Sequence, residues 1–124
     1  MRGLSFFCLS TAILYALAAM ALGIFMAISQ DHTLSPAHAH LNLVGWVTVA
    51  LYGFYYNAVP ASATTTLAKA QVGAATLGVI LLSPGIALAV LGKTEALAAI
   101  GSIITLLGML LFAVVIVRSR QVIA

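Results

Sequence analysis

Apolar residues fall along the chain in four long runs separated by three short polar links. The first run extends from about Leu4 to Ile28, and the link Ser29-Gln30-Asp31-His32-Thr33-Leu34 closes it. The second runs from Pro36 to about Val59, stopping before Pro60. A small, hydroxyl-rich link, Ala61-Ser62-Ala63-Thr64-Thr65-Thr66, leads into a third run that ends near Val90. Gly92-Lys93-Thr94-Glu95 forms a tight polar turn, and the fourth run covers about Ala96 to Val117, with Arg118, Ser119 and Arg120 after it. Each run is near the roughly 20 residues that span a bilayer as a helix. The pattern predicts helices at about 4–28, 36–59, 66–90 and 96–117. Thr65 or Thr66 is placed to cap the third, and Pro84 is expected to kink it or end its regular part.

Composition strengthens this reading. The chain has 124 residues, of which 64% are hydrophobic and 6% charged. No water-soluble domain of this size covers so much apolar surface with so few charges. The expectation is one all-α domain over residues 1–124, an integral membrane bundle of four helices running up-down-up-down, because the short links make sequential helices neighbours. The first run is too long for a signal-peptide core and is read as a retained helix. A net charge of +3, modest and scattered, leaves no nucleic-acid footprint. The single Cys8 excludes a disulfide framework and is expected to pack as a small apolar residue. The pairs Gly73/Gly78 and Gly101/Gly108 are expected at helix contacts.

Charge gives an orientation. With both termini inside, Arg2, Lys69, Arg118 and Arg120 are cytoplasmic and only Lys93 is outside, as basic residues prefer. Asp31, His32, His38 and His40 then lie at the outer face, which in a bacterial inner membrane is the periplasmic side.

The candidate chemistry sits where the second helix begins, Ser35-Pro36-Ala37-His38-Ala39-His40-Leu41-Asn42-Leu43-Val44-Gly45-Trp46. Ser35 as N-cap and Pro36 at the first helical position read as a helix start. The positive end of the helix dipole favours neutral imidazole, the form that binds metals. His38 and His40 are two residues apart, roughly 200° around a helix, so one regular helix presents them on different faces. Asn42, Gly45, Val49, Tyr52, Gly53 and Tyr56 share the His38 face, where glycines permit close approach of a helix or a flat cofactor. Val44, Val47, Leu51 and Tyr55 make an apolar wall beneath His40. Either face suits a porphyrin, which needs an apolar slot and an axial imidazole. The same residues also read as hydrated histidines at a membrane boundary, with Trp46 an interfacial anchor and Asn42 an interhelical hydrogen-bond donor.

The run His38 to Trp46, followed by Leu51-Tyr52-Gly53-Phe54-Tyr55-Tyr56, resembles the second helix of the heme-copper oxidase catalytic subunit superfamily, which includes nitric oxide reductases. The resemblance extends over the chain as the first four helices of that twelve-helix fold. It implies that a histidine near the outer end of helix two is an axial ligand of a low-spin heme. His38 is favoured for that role, with His40 the competing candidate. The later helices that carry the family's other heme and copper ligands have no counterpart here, so no complete oxygen- or nitric-oxide-reducing centre is expected in one chain. No paired carboxylate, serine–histidine set or phosphate loop suggests independent catalysis.

Three readings follow. In the first, the chain binds heme b through His38 or His40, with Asn42, Gly45 and Trp46 around it, for electron transfer or for heme or gas handling. A second copy supplies what one chain lacks in that case, so a homo-oligomer is expected. In the second, His32 joins His38 or His40, with Asp31, in a porphyrin-free copper or zinc site. In the third, the chain is a structural or assembly subunit without cofactor. The sequence names no redox partner.

Overall fold

The computed structural model describes residues 1–123, with side chains described through Gln121; Ala124, the last residue of the expected domain, lies outside the described residues. The described residues form helices joined by short links: α1 (Gly3–Ser29), α2 (Ser35–His40), a π-helical stretch (Leu41–Val47), α3 (Thr48–Ala58), α4 (Pro60–Ala63), α5 (Thr66–Val90) and α6 (Ala96–Ile123). Three stretches are long and apolar enough to cross a membrane, Gly3–Ser29, Thr66–Val90 and Ala96–Gln121. This marks a membrane protein.

Local chemistry explains both ends of α5. Thr65 caps α5, its hydroxyl accepting from the Ala68 N–H at 3.1 Å. At the other end Gly92 takes a positive φ of 75°. Its N–H donates to the Ala89 carbonyl at 3.0 Å, and that of Lys93 to Leu88 at 2.9 Å, a paired closure of the last turn that glycine makes without Cβ strain. Four details depart from the sequence expectations. Leu34, not Ser35, holds the cap position of α2, because its carbonyl accepts the first intrahelical bond, from the His38 N–H at 3.0 Å. The link after Pro60 winds into a short helix rather than an open loop. Pro84 does not end α5, which stays helical to Val90. Arg118, Ser119 and Arg120 lie within α6 rather than after it.

The helices pair in two antiparallel sets. Along α1, Gly23 faces His38, Tyr15 faces Gly45, and Cys8 and Leu9 face Gly53. Along α5 and α6, a Cβ added to Gly85 would stand 2.5 Å from the Ala98 nitrogen, and one on Gly101 would stand 2.6 Å from the Leu82 nitrogen. Gly78 and Gly108 pack into the same seam, so helix contact is confirmed for three of the four expected glycines. Gly73 is the exception, with nothing within 4 Å of its would-be Cβ. Cys8 is buried as a small apolar residue.

A polar cluster joins α3, α5 and α6. Tyr56 and Gln71 are buried, and the Tyr56 hydroxyl donates to Gln71 Oε1 at 2.8 Å. Gln71 Nε2 in turn donates to the Gly108 carbonyl at 3.3 Å. The Tyr55 hydroxyl pairs with the Ser119 hydroxyl. Gln71 is 0% exposed, so no solvent replaces a lost partner. Tyr56→Phe is expected to destabilise the protein by about 1–3 kcal/mol, because it leaves a buried acceptor unsatisfied. The double variant Tyr56→Phe/Gln71→Leu should recover part of that loss in a denaturant titration in detergent.

Candidate functional site

The site is built where α2 passes the C-terminal half of α1. His38 is half-buried, and its ring leans on α1 rather than on its own helix. Nδ1 lies 2.9 Å from the Ala19 carbonyl oxygen. A carbonyl only accepts, so Nδ1 carries the proton and Nε2 presents its lone pair. Asn42, one turn on, donates from Nδ2 to that lone pair at 3.5 Å, the long limit of a hydrogen bond. The Cε1 edge of the ring faces Gly23, whose would-be Cβ stands 3.0 Å away. On the far side of α2, Ala37 is buried, and Ser83 of α5 donates to its carbonyl at 3.5 Å.

His40 is arranged differently. It is exposed, and its Nδ1 donates back to the Pro36 carbonyl at 2.8 Å within its own turn. Its Nε2 is therefore also the lone-pair nitrogen, but on another face from His38, in keeping with the sequence spacing. Below it, Val47 and Leu51 are exposed, with Leu43 and Phe54 beside them.

The π-helical stretch starts directly after His40. Thr48 marks its end, since both its N–H and its hydroxyl reach the Leu43 carbonyl five residues back, the hydroxyl at 2.6 Å. Such a stretch offsets the helix faces on either side of it, and insertions of this kind are frequent at functional sites. Here it lies between the histidines and the tyrosine-bearing face of α3.

The expected slot along the His38 face is not open within one protomer. Gly45 is packed on the Tyr15 side chain, with only 3.0 Å between its would-be Cβ and Tyr15 Cβ. Gly53 is packed on Leu9, with 2.9 Å to Leu9 Cγ. These glycines let α1 approach closely and leave no room there for a porphyrin plane. The His38 nitrogen fits an axial ligand; the space behind it, inside a single chain, does not fit the macrocycle. Trp46 is half-buried and packs against the core.

The link between α1 and α2 stands apart. Asp31 accepts from the Thr33 N–H at 3.0 Å and from its hydroxyl at 2.5 Å. Both bonds favour the charged form and hold the Asp31 carboxyl below its ordinary range, with neighbouring His32 adding to the effect. His32 is exposed. Among the described residues, no three His, Cys, Asp or Glu side chains come together to hold a metal ion, so the set of His32, Asp31 and a second histidine is not assembled in this structure.

The sequence reading missed Ala19 and Gly23, the two α1 positions that receive His38. Their separation from it is the reason: the Ala19 contact spans 19 residues. No family model, no curated protein and no solved structure matches the chain.

Proposed function

We propose that the chain is a small membrane protein that binds heme b through His38 near the outer face, for electron transfer or for heme or gas handling. The observation that carries this reading is the state of the His38 ring. One nitrogen is tied to a backbone carbonyl and the other offers its lone pair against only a 3.5 Å contact. Metal-binding histidines are commonly held this way, with the non-ligating N–H given to a carbonyl. A bound heme would supply one-electron chemistry. The chain's own part is to hold and orient the imidazole and to keep the surroundings apolar.

In the same proposal, residues 35–58 cross the membrane with α1, α5 and α6 as a four-helix, up-down-up-down bundle. Both termini face the cytoplasm of a bacterial inner membrane, and the apolar exterior meets lipid. The basic residues support the orientation. The run from Ser35 to Ala58 is continuous helix, although the π-helical stretch divides it into pieces too short to span separately. Impermeant thiol reagents are expected to label Gln30→Cys and Thr94→Cys in intact cells but not Gln121→Cys. Native Cys8 is buried, so it gives no background. Labelling of Gln121→Cys from outside contradicts the topology.

The filled glycine face directs the porphyrin to the outside of the protomer, and a second copy of the chain then completes the site. Native mass spectrometry in a gentle detergent should find heme on an oligomer; heme-free monomers alone oppose the proposal. A structural role without cofactor has one observation in its favour, that both ring nitrogens of His38 already have protein partners. The colour of the purified protein separates the two.

A further inference from the structure

We infer that Gly23 and the Ala19 carbonyl form a socket on α1 that selects the Nδ1–H tautomer of His38 and so decides which nitrogen the imidazole offers. In a helix each side chain lies back over the preceding turn and covers the carbonyl four residues before it. At position 23 there is no side chain, so the Ala19 carbonyl keeps a lone pair open to the side of the helix. His38 uses it: Nδ1 is 2.9 Å from that oxygen. The ring also occupies the space a side chain would fill, with Cε1 3.0 Å and both nitrogens 3.7 Å from the would-be Cβ of Gly23. The glycine thus does two things at once. It uncovers the acceptor, and it admits the ring that uses it.

Gly73 on α5 shows that a glycine in an apolar helix does not by itself imply such a use, since nothing stands within 4 Å of its would-be Cβ. At Gly23, the proximity of the ring and the bond to the carbonyl one turn earlier are separate observations that agree. Gly23 is a positioning residue: it acts on a ligand through His38. That consequence rests on the heme reading above, whereas the socket itself exists with or without a cofactor.

The test reads the ring directly. Protein labelled with ¹⁵N-histidine, in detergent, reports the tautomer of each imidazole through two-bond N–H correlations, with His38→Gln assigning the signal. The expected result is an Nδ1–H His38 in the unmodified protein. Gly23→Leu should lose that state, because leucine covers the Ala19 carbonyl. Gly23→Ala should perturb it less, and Gly73→Leu should leave it unchanged, helicity serving as the check on folding. An Nε2–H His38 in the unmodified protein overturns the inference, as does a folded Gly23→Leu or Gly23→Ala that leaves the His38 signals unmoved. An Nδ1–H His38 in a protein with no Soret band sustains the socket and removes the heme reading. A Soret band with an Nε2–H His38 in the apoprotein does the reverse.

Discussion

Gly101→Leu should separate α5 from α6 and cost the protein roughly 1–3 kcal/mol or more, the range expected when extra atoms are forced into a packed contact. The atoms in the way are backbone. A Cβ at position 101 would stand 2.6 Å from the Leu82 nitrogen and 2.8 Å from its Cα. A side chain can rotate aside, but a helix backbone moves only by shifting the whole seam. Gly85→Leu should behave alike, since its would-be Cβ stands 2.5 Å from the Ala98 nitrogen. The comparison that gives these variants meaning is Gly73→Ala. It meets nothing within 4 Å, and glycine is the poorer helix former, so it should be neutral or stabilise by up to about 1 kcal/mol. Unfolding in mixed micelles, followed by helicity, orders the three variants. Equal effects from Gly73→Ala and Gly101→Leu contradict the seam described here.

His38→Ala should abolish heme binding, while His32→Ala leaves it unchanged. His40→Ala should have a smaller effect than His38→Ala, because the exposed His40 ring is bonded only within its own turn. The His38 variant also removes the bond to the Ala19 carbonyl, so its folding has to be read separately, by helicity and gel filtration. Two histidines on the iron should give a low-spin site that binds carbon monoxide poorly. A lone His38 should leave a coordination position that binds it readily. The carbon monoxide difference spectrum therefore reports whether a second copy contributes a ligand.

Much of the helix layout is legible in the sequence, because hydropathy and helix-end chemistry are local. The third run ends where it was expected, since Thr65 caps its start and Gly92 closes its turn. The antiparallel pairing of α1 with residues 35–58, and of α5 with α6, follows from short links. The faces are another matter. Gly45 and Gly53 announce close approach to something, and the sequence cannot say whether that is a cofactor or a helix; Tyr15, Cys8 and Leu9 of α1 answer it. The π-helical stretch over Leu41–Val47 carries no composition signal, since one extra residue in a turn arises from packing rather than propensity. Gly23 sits in an apolar run where nothing nearby in sequence marks it as the neighbour of a histidine. Nothing near Gln71 in sequence marks its partners, and only the folded chain reveals it buried between Tyr56 and Gly108.

The central claim is that His38 holds a heme, and the absorption spectrum of the unmodified protein tests it most directly. The protein is made in heme-replete cells, purified in mild detergent and recorded oxidised and then reduced. The account predicts a Soret band that shifts on reduction, with b-type bands in the visible, and their loss in His38→Ala. A colourless protein from heme-replete cells, or a normal spectrum in both His38→Ala and His40→Ala, contradicts it.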